Sequence, residues 1–101
     1  MRIYLAGKIS GNTMDFLTNI HNGIAAQASI IKAGHSVFPV FCDFLMHLND
    51  KTLTEEDYKR NSLDWLEVAE QIWVLPGWET SNGVKAEIER AIELNITVRY
   101  L

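Results

Sequence analysis

A chain of 101 residues, 48% hydrophobic and 22% charged, has the size and balance of one compact globular domain and is too short for two. Its net charge of -4 argues against a general binder of nucleic acid polymers, which would carry a basic face, but leaves room for a small ligand held by local groups. A single cysteine, Cys42, excludes an internal disulfide framework and fits a reducing compartment, and no apolar run reaches the ~20 residues that cross a bilayer.

The opening residues 1–7 are too short and too quickly broken to read as a signal peptide, so a soluble cytoplasmic protein without a membrane partner is expected. Residues 3–6 form a short apolar run stopped by Gly7, which suits a strand buried on both faces. After the loop Gly7-Lys8-Ile9-Ser10-Gly11, Asn12 or Thr13 can cap a long helix, with Leu17, Ile20, Ile24, Ala28 and Ile31 as its apolar stripe. Gly34 ends that helix, and Ser36, Val37 and Phe38 read as a second strand halted by Pro39.

Residues 41–48 are apolar and ambiguous, with a short helix as one reading, and residues 49–51 are a turn. Thr52 or Thr54 can cap the next helix, with Glu55 or Asp57 three residues on, and Tyr58, Trp65, Leu66 and Ala69 form its buried stripe. Residues 72–75 are a third strand. A helix over residues 82–94 buries Val84, Ile88, Ala91 and Ile92, and residues 96–100 close the series as a fourth strand. There is no internal repeat, low-complexity tract or linker.

This alternation predicts an α/β fold, a parallel sheet of about four strands with helices on both faces. Ligands of such folds sit beyond the carboxyl ends of the strands. Two loops leave carboxyl ends here, residues 7–11 and 76–81, and they flank one crevice if the first and third strands are neighbours. The second loop leads through Leu75-Pro76-Gly77-Trp78-Glu79-Thr80-Ser81 into a helix opening on Ser81. It gathers a hydroxyl, free backbone N–H groups and the Glu87 carboxylate around one helix N-terminus, a setting that favours an anion and an ionised carboxylate.

Tyr4-Leu5-Ala6-Gly7-Lys8-Ile9-Ser10-Gly11, together with Ser81-Asn82-Gly83-Val84, Glu87-Ile88 and Arg90-Ala91, resembles the nucleoside 2-deoxyribosyltransferase superfamily. With its Leu-Pro-Gly-Trp-Glu string the chain looks, over nearly its whole length, like a small phage and bacterial branch known as domain of unknown function 4406. The Ser81-to-Ala91 spacing is also similar to that of nucleoside 5′-monophosphate N-glycosidases.

The resemblance implies a Rossmann-like, flavodoxin-like three-layer sandwich and a small nucleoside or nucleotide ligand, with the host cytoplasm as location for a phage protein. It implies that Glu87 attacks the anomeric carbon, and that Ser81 and the 7–11 loop, with Gly7, Lys8, Ser10 and Gly11, hold a 5′-phosphate. It also implies a homo-oligomer that completes its site between subunits. A carboxylate at that position suits the chemistry, because cleaving an N-glycosidic bond builds positive charge on the sugar.

Two positions depart from the family pattern. Relatives carry an aspartate, placed to protonate the leaving base, where this chain has Ser62 in Arg60-Asn61-Ser62-Leu63-Asp64, and serine is a poor general acid. Asp64 lies two residues along the helix, ~200° around its axis. Tyr58, Glu79 or a partner chain remain as donors. Glu70 stands where aspartate is usual. The departures favour an alternative: a non-catalytic phage protein that sequesters a nucleotide-derived defence signal.

Each site residue also has a purely structural reading. Glu87 either faces a ligand or pairs with Arg90 at i,i+3. Ser81 serves as an N-cap in either case, with Gly83 in the same turn. Lys8 either steers an anion or lies free. Trp78 either stacks on a base or covers a subunit interface. Tyr4 either touches a sugar or fills the core. His21, His35 and His47 show no ligand spacing with Cys42 or one another, so neither metal nor cofactor is expected.

Overall fold

The structure, a computed structural model, describes residues 1–38 and 40–101, with only the backbone described at Phe44. Strands β1 (Arg2–Ala6), β2 (Ser36–Phe38), β3 (Gln71–Val74) and β4 (Thr97–Tyr100) form one parallel sheet in the order β2-β1-β3-β4. The helices are α1 (Thr13–Lys32), α2 (Asp43–Asn49), α3 (Glu55–Leu66) and α4 (Asn82–Glu93), and 3-10 turns span Val40–Cys42 and Trp78–Thr80. This is the expected α/β architecture, with the first four strands of the flavodoxin-like order. Right-handed crossovers put α1 on one face of the sheet and α3 and α4, which touch each other, on the opposite face. Among the described residues no helix is long and apolar enough to cross a membrane. The expected stop of β2 at Pro39 lies outside the described residues.

The central strands carry the core. Ile3, Tyr4, Leu5 and Ala6 of β1 and Ile72, Trp73 and Val74 of β3 are buried, as their unbroken apolar runs require between two helical layers. Each fully buried aliphatic side chain contributes roughly 1.5–3 kcal/mol. Caps fall on the anticipated residues. Asn12 caps α1 by accepting from the Asp15 N–H at 2.9 Å, and Thr54 forms a reciprocal capping box with Asp57 at the start of α3. The ambiguous 41–48 stretch resolves into the first 3-10 turn and α2.

The expected helix stripes need correction. On α1 the buried residues are Gly23 and Ile30, with Ile20 half-buried, whereas Leu17, Ile24, Ala28 and Ile31 are exposed. The reason is steric. The Phe41 ring, 1% exposed, lies directly over Gly23, where no other side chain fits, and this contact fixes which face of α1 turns inward. On α3, Trp65 is exposed and stacks its ring on Phe38 at 5.7 Å, while Ser62 takes a buried place. On α4, Ile92 points to solvent and Val84, Ile88 and Ala91 are buried.

On the α1 face of the sheet, Trp73 donates its Nε1–H to Gln71 Oε1 at 2.8 Å. The Arg99 guanidinium of β4 covers the Trp73 ring at 4.5 Å from its centroid.

Candidate functional site

Strands β1 and β3 are hydrogen-bonded neighbours with Ala6 opposite Val74, and Leu75 N–H continues the ladder to the Ala6 carbonyl at 2.9 Å. The two loops beyond them therefore leave the sheet side by side, as the crevice argument requires. Gly7 permits the close approach: a Cβ there would meet the Leu75 side chain at 2.8 Å and Phe41 at 3.0 Å. Lys8 Nζ donates to Thr80 Oγ1 at 2.9 Å and ties the loops together. Gly77 adopts a left-handed φ of 93°, open to glycine, and turns the chain into the second 3-10 turn. Ser81 then caps α4 by accepting from Val84 N–H at 3.3 Å.

These loops border a cleft of about 930 Å³ that also receives side chains from α2, α3 and α4. Of the residues singled out from the sequence, Gly7, Ser10, Gly11, Ser81, Gly83 and Glu87 line it. Lys8 is instead engaged by Thr80, and Trp78 packs on Tyr100 with ring centroids 5.2 Å apart, so neither contributes to the lining. Tyr4 is fully buried in the core beneath the cleft, and its hydroxyl, beside Glu87, lowers the proton affinity of that carboxyl. Ser62 and Tyr58 line the cleft from α3, while Asp64 and Glu79 are exposed and outside it. Glu70 pairs with Arg2 at 3.6 Å and accepts from its backbone N–H at 3.3 Å.

Glu87 is not a surface charge paired with Arg90. Arg90 binds Glu67 and Glu93, both at 3.0 Å. Glu87 Oε2 is buried with no hydrogen-bond partner, and the same holds for the hydroxyls of Tyr4 and Tyr58. Among the described residues these three are the buried side-chain polar atoms left unpartnered, and two of the residues line the cleft while the third lies beneath it. Most buried polar groups in folded proteins are satisfied, and this cluster at the cleft departs from that pattern.

Burial raises the Glu87 carboxyl to about 7, the nearby Tyr4 hydroxyl opposes this, and the negative charge of Asp43 adds to it. The ionised state expected from the helix N-terminus is thus not the one that burial favours. Glu87 is the sixth residue of α4, past the first turn where the helix dipole acts, and desolvation outweighs it. Burial, and then the charge of Glu87, likewise raise the Tyr4 hydroxyl.

Sequence reasoning missed Asp43. It opens α2 within the ambiguous apolar stretch, lines the cleft, and has its carboxyl raised by partial burial. A lone acid inside an apolar run was the available signal. The charged lining comprises Asp43, Glu55, Glu56 and Glu87 against one cation, Lys59.

Fold and cleft together define a Rossmann-like α/β protein with a ligand-sized, acid-lined crevice at the carboxyl ends of adjacent parallel strands. Residues 1–100 match the family described as Domain of unknown function (DUF4406), and the chain belongs to that family. The curated proteins contain no match to it.

Proposed function

We propose that this protein binds a nucleoside in the cleft and cleaves or transfers at its N-glycosidic bond. The observation that carries the proposal is the Glu87 carboxyl, buried at a ligand-sized cleft without a hydrogen bond at Oε2 or an ion pair. In its ionised form an oxygen of Glu87 bonds to the anomeric carbon as the carbon–nitrogen bond breaks and its electron pair leaves with the base. Water, or a second base, then displaces the carboxylate. The leaving base needs a proton that Ser62 cannot provide. We assign that donor to the Tyr58 hydroxyl, which lines the cleft and is left without a hydrogen-bond partner.

The acidic lining supports an uncharged nucleoside over its 5′-monophosphate, because a dianionic phosphate would meet four carboxyl groups and one lysine. Ser10, Ser81 and the backbone at Gly83 supply neutral donors suited to sugar hydroxyls.

Ser62 favours a second reading, in which the protein holds a nucleotide-derived signal intact. One experiment separates the two: incubation with a panel of nucleosides and nucleotides, chromatography for free base, and calorimetry on the same panel. Steady base release that Glu87→Gln abolishes, with the fold retained, supports catalysis. Stoichiometric binding without release supports sequestration. Neither release nor binding overturns both.

A further inference from the structure

Within the phosphate-free nucleosides favoured above, we infer that the substrate of the cleft carries a positive charge on its base, as an N-alkylated purine or a quaternary pyridinium does. Glu87 keeps the role of nucleophile proposed for it, and this substrate class rests on that reading. Two independent features of the cleft point the same way: the charge of its lining and the weakness of its hydroxyl donors.

Asp43, Glu55, Glu56 and Glu87 line the cleft, and among the described residues none of them forms an ion pair. The paired arginines turn elsewhere: Arg2 to Glu70, Arg60 to Asp57, and Arg90 to Glu67 and Glu93. Lys59 is the one cation of the described lining, and Lys8 is engaged by Thr80. A cleft lined by one sign of charge focuses its field and gathers ions of the other sign. The carboxyl groups that repel a phosphate therefore attract a cation. The rings of Phe16 and Tyr58 in the same lining offer faces on which a cationic heterocycle can rest. A positive charge beside Glu87 also favours the ionised carboxylate that attacks, against the desolvation that opposes it.

Helix α3 turns two hydroxyls into the cleft, Ser62 and Tyr58. Ser62 is only 8% exposed, and a serine hydroxyl does not protonate a leaving base. Desolvation, and then the charges of Asp43, Asp50 and Asp57, make the Tyr58 hydroxyl hold its proton more tightly. Proton delivery is thus the step this site serves least, and Tyr58 makes neutral bases the slower substrates. A base that is already positive needs no proton. As the carbon–nitrogen bond breaks, its electron pair passes to the base and cancels the charge, while an oxygen of Glu87 bonds to the anomeric carbon. Water then displaces the carboxylate and gives up one proton to solvent.

The test has two arms. In the first, chromatography follows base released by the native chain from nicotinamide riboside and 1-methyladenosine, both cationic at neutral pH, and from adenosine and uridine, which are not. At least one cationic substrate should show a kcat/KM about 100-fold or more above adenosine, the scale of a general acid's contribution. In the second, calorimetry on Glu87→Gln compares nicotinamide riboside with benzamide riboside, its uncharged carbon-linked isostere, so that the lability of the cation plays no part. The cation should bind at least tenfold tighter at low salt. That gap should shrink in ~0.5 M salt and on adding Glu55→Gln and Glu56→Gln. Adenosine or uridine cleaved as fast as the cations, or benzamide riboside bound as tightly as nicotinamide riboside, would overturn the inference and leave the proposed reaction standing. No base from any of the four substrates would overturn both.

Discussion

At the scale of single residues, Glu87 is held where its charge costs stability, and the pH dependence follows from the sign of its displacement. Its proton affinity rises from 4.5 to about 7 on folding, so the folded chain binds more protons than the unfolded chain between those values. Below pH 4.5 both states are protonated and no penalty applies. Stability then falls as pH rises through the window, and the full cost, roughly 3 kcal/mol, is present above pH 7. Glu87→Gln removes the titration. Urea unfolding should therefore show the variant more stable than the native chain by up to roughly 3 kcal/mol at pH 8, with the difference vanishing near pH 4. A gain independent of pH would show that the carboxyl is not held as described. For a group that attacks as an anion, the same ionisation predicts base release that climbs with pH through about 7. The sequence revealed that Glu87 belongs at the head of α4 beside Ser81. It could not reveal protonation, which depends on how deeply folding buries the carboxyl and on the Tyr4 hydroxyl and the Asp43 charge beside it.

At the scale of elements, the strands and caps were legible because their signals are local. An unbroken apolar run in β1, the Asn12 cap and the Thr54–Asp57 box each need only a few neighbouring residues. The inward face of α1 was not legible, since the helix carries two apolar stripes and periodicity cannot rank them. A single tertiary contact, the Phe41 ring over Gly23, decides between them. That contact reverses an ordinary expectation. Gly→Ala in a helix interior normally stabilises by about 0.5–1 kcal/mol. Here the methyl group would enter the Phe41 ring, and overpacking of this kind costs ~1–3 kcal/mol. Gly23→Ala should therefore lower the urea midpoint, with a net loss of roughly 1–2 kcal/mol; a raised midpoint would remove Phe41 as the element that orients α1. Asp43 escaped notice for a related reason: it follows Phe41 on a segment whose path is set by packing.

At the scale of the whole molecule, the strand order does the positioning. The adjacency of β1 and β3 brings two loops to one cleft; the alternation of strands and helices left that adjacency as a condition, and the strand order meets it. The two edges of the sheet then behave differently. β2 is a short strand of 3 residues against which α1 packs. β4 presents Thr97, Arg99 and Tyr100 to solvent, with the Arg99 guanidinium resting on Trp73.

That stacked arginine guards against misassembly as well as shielding an indole. An exposed edge strand is a template on which further strands add, and a charge on it opposes such growth. Arg99→Val would join a β-branched residue to Ile96 and Val98, leaving the last strand uncharged and uncovering Trp73. Light scattering at 37 °C and high protein concentration should show faster aggregation of that variant than of the native chain, with the cleft unaltered. The terminal strand thus keeps a four-stranded sheet from becoming an endless one.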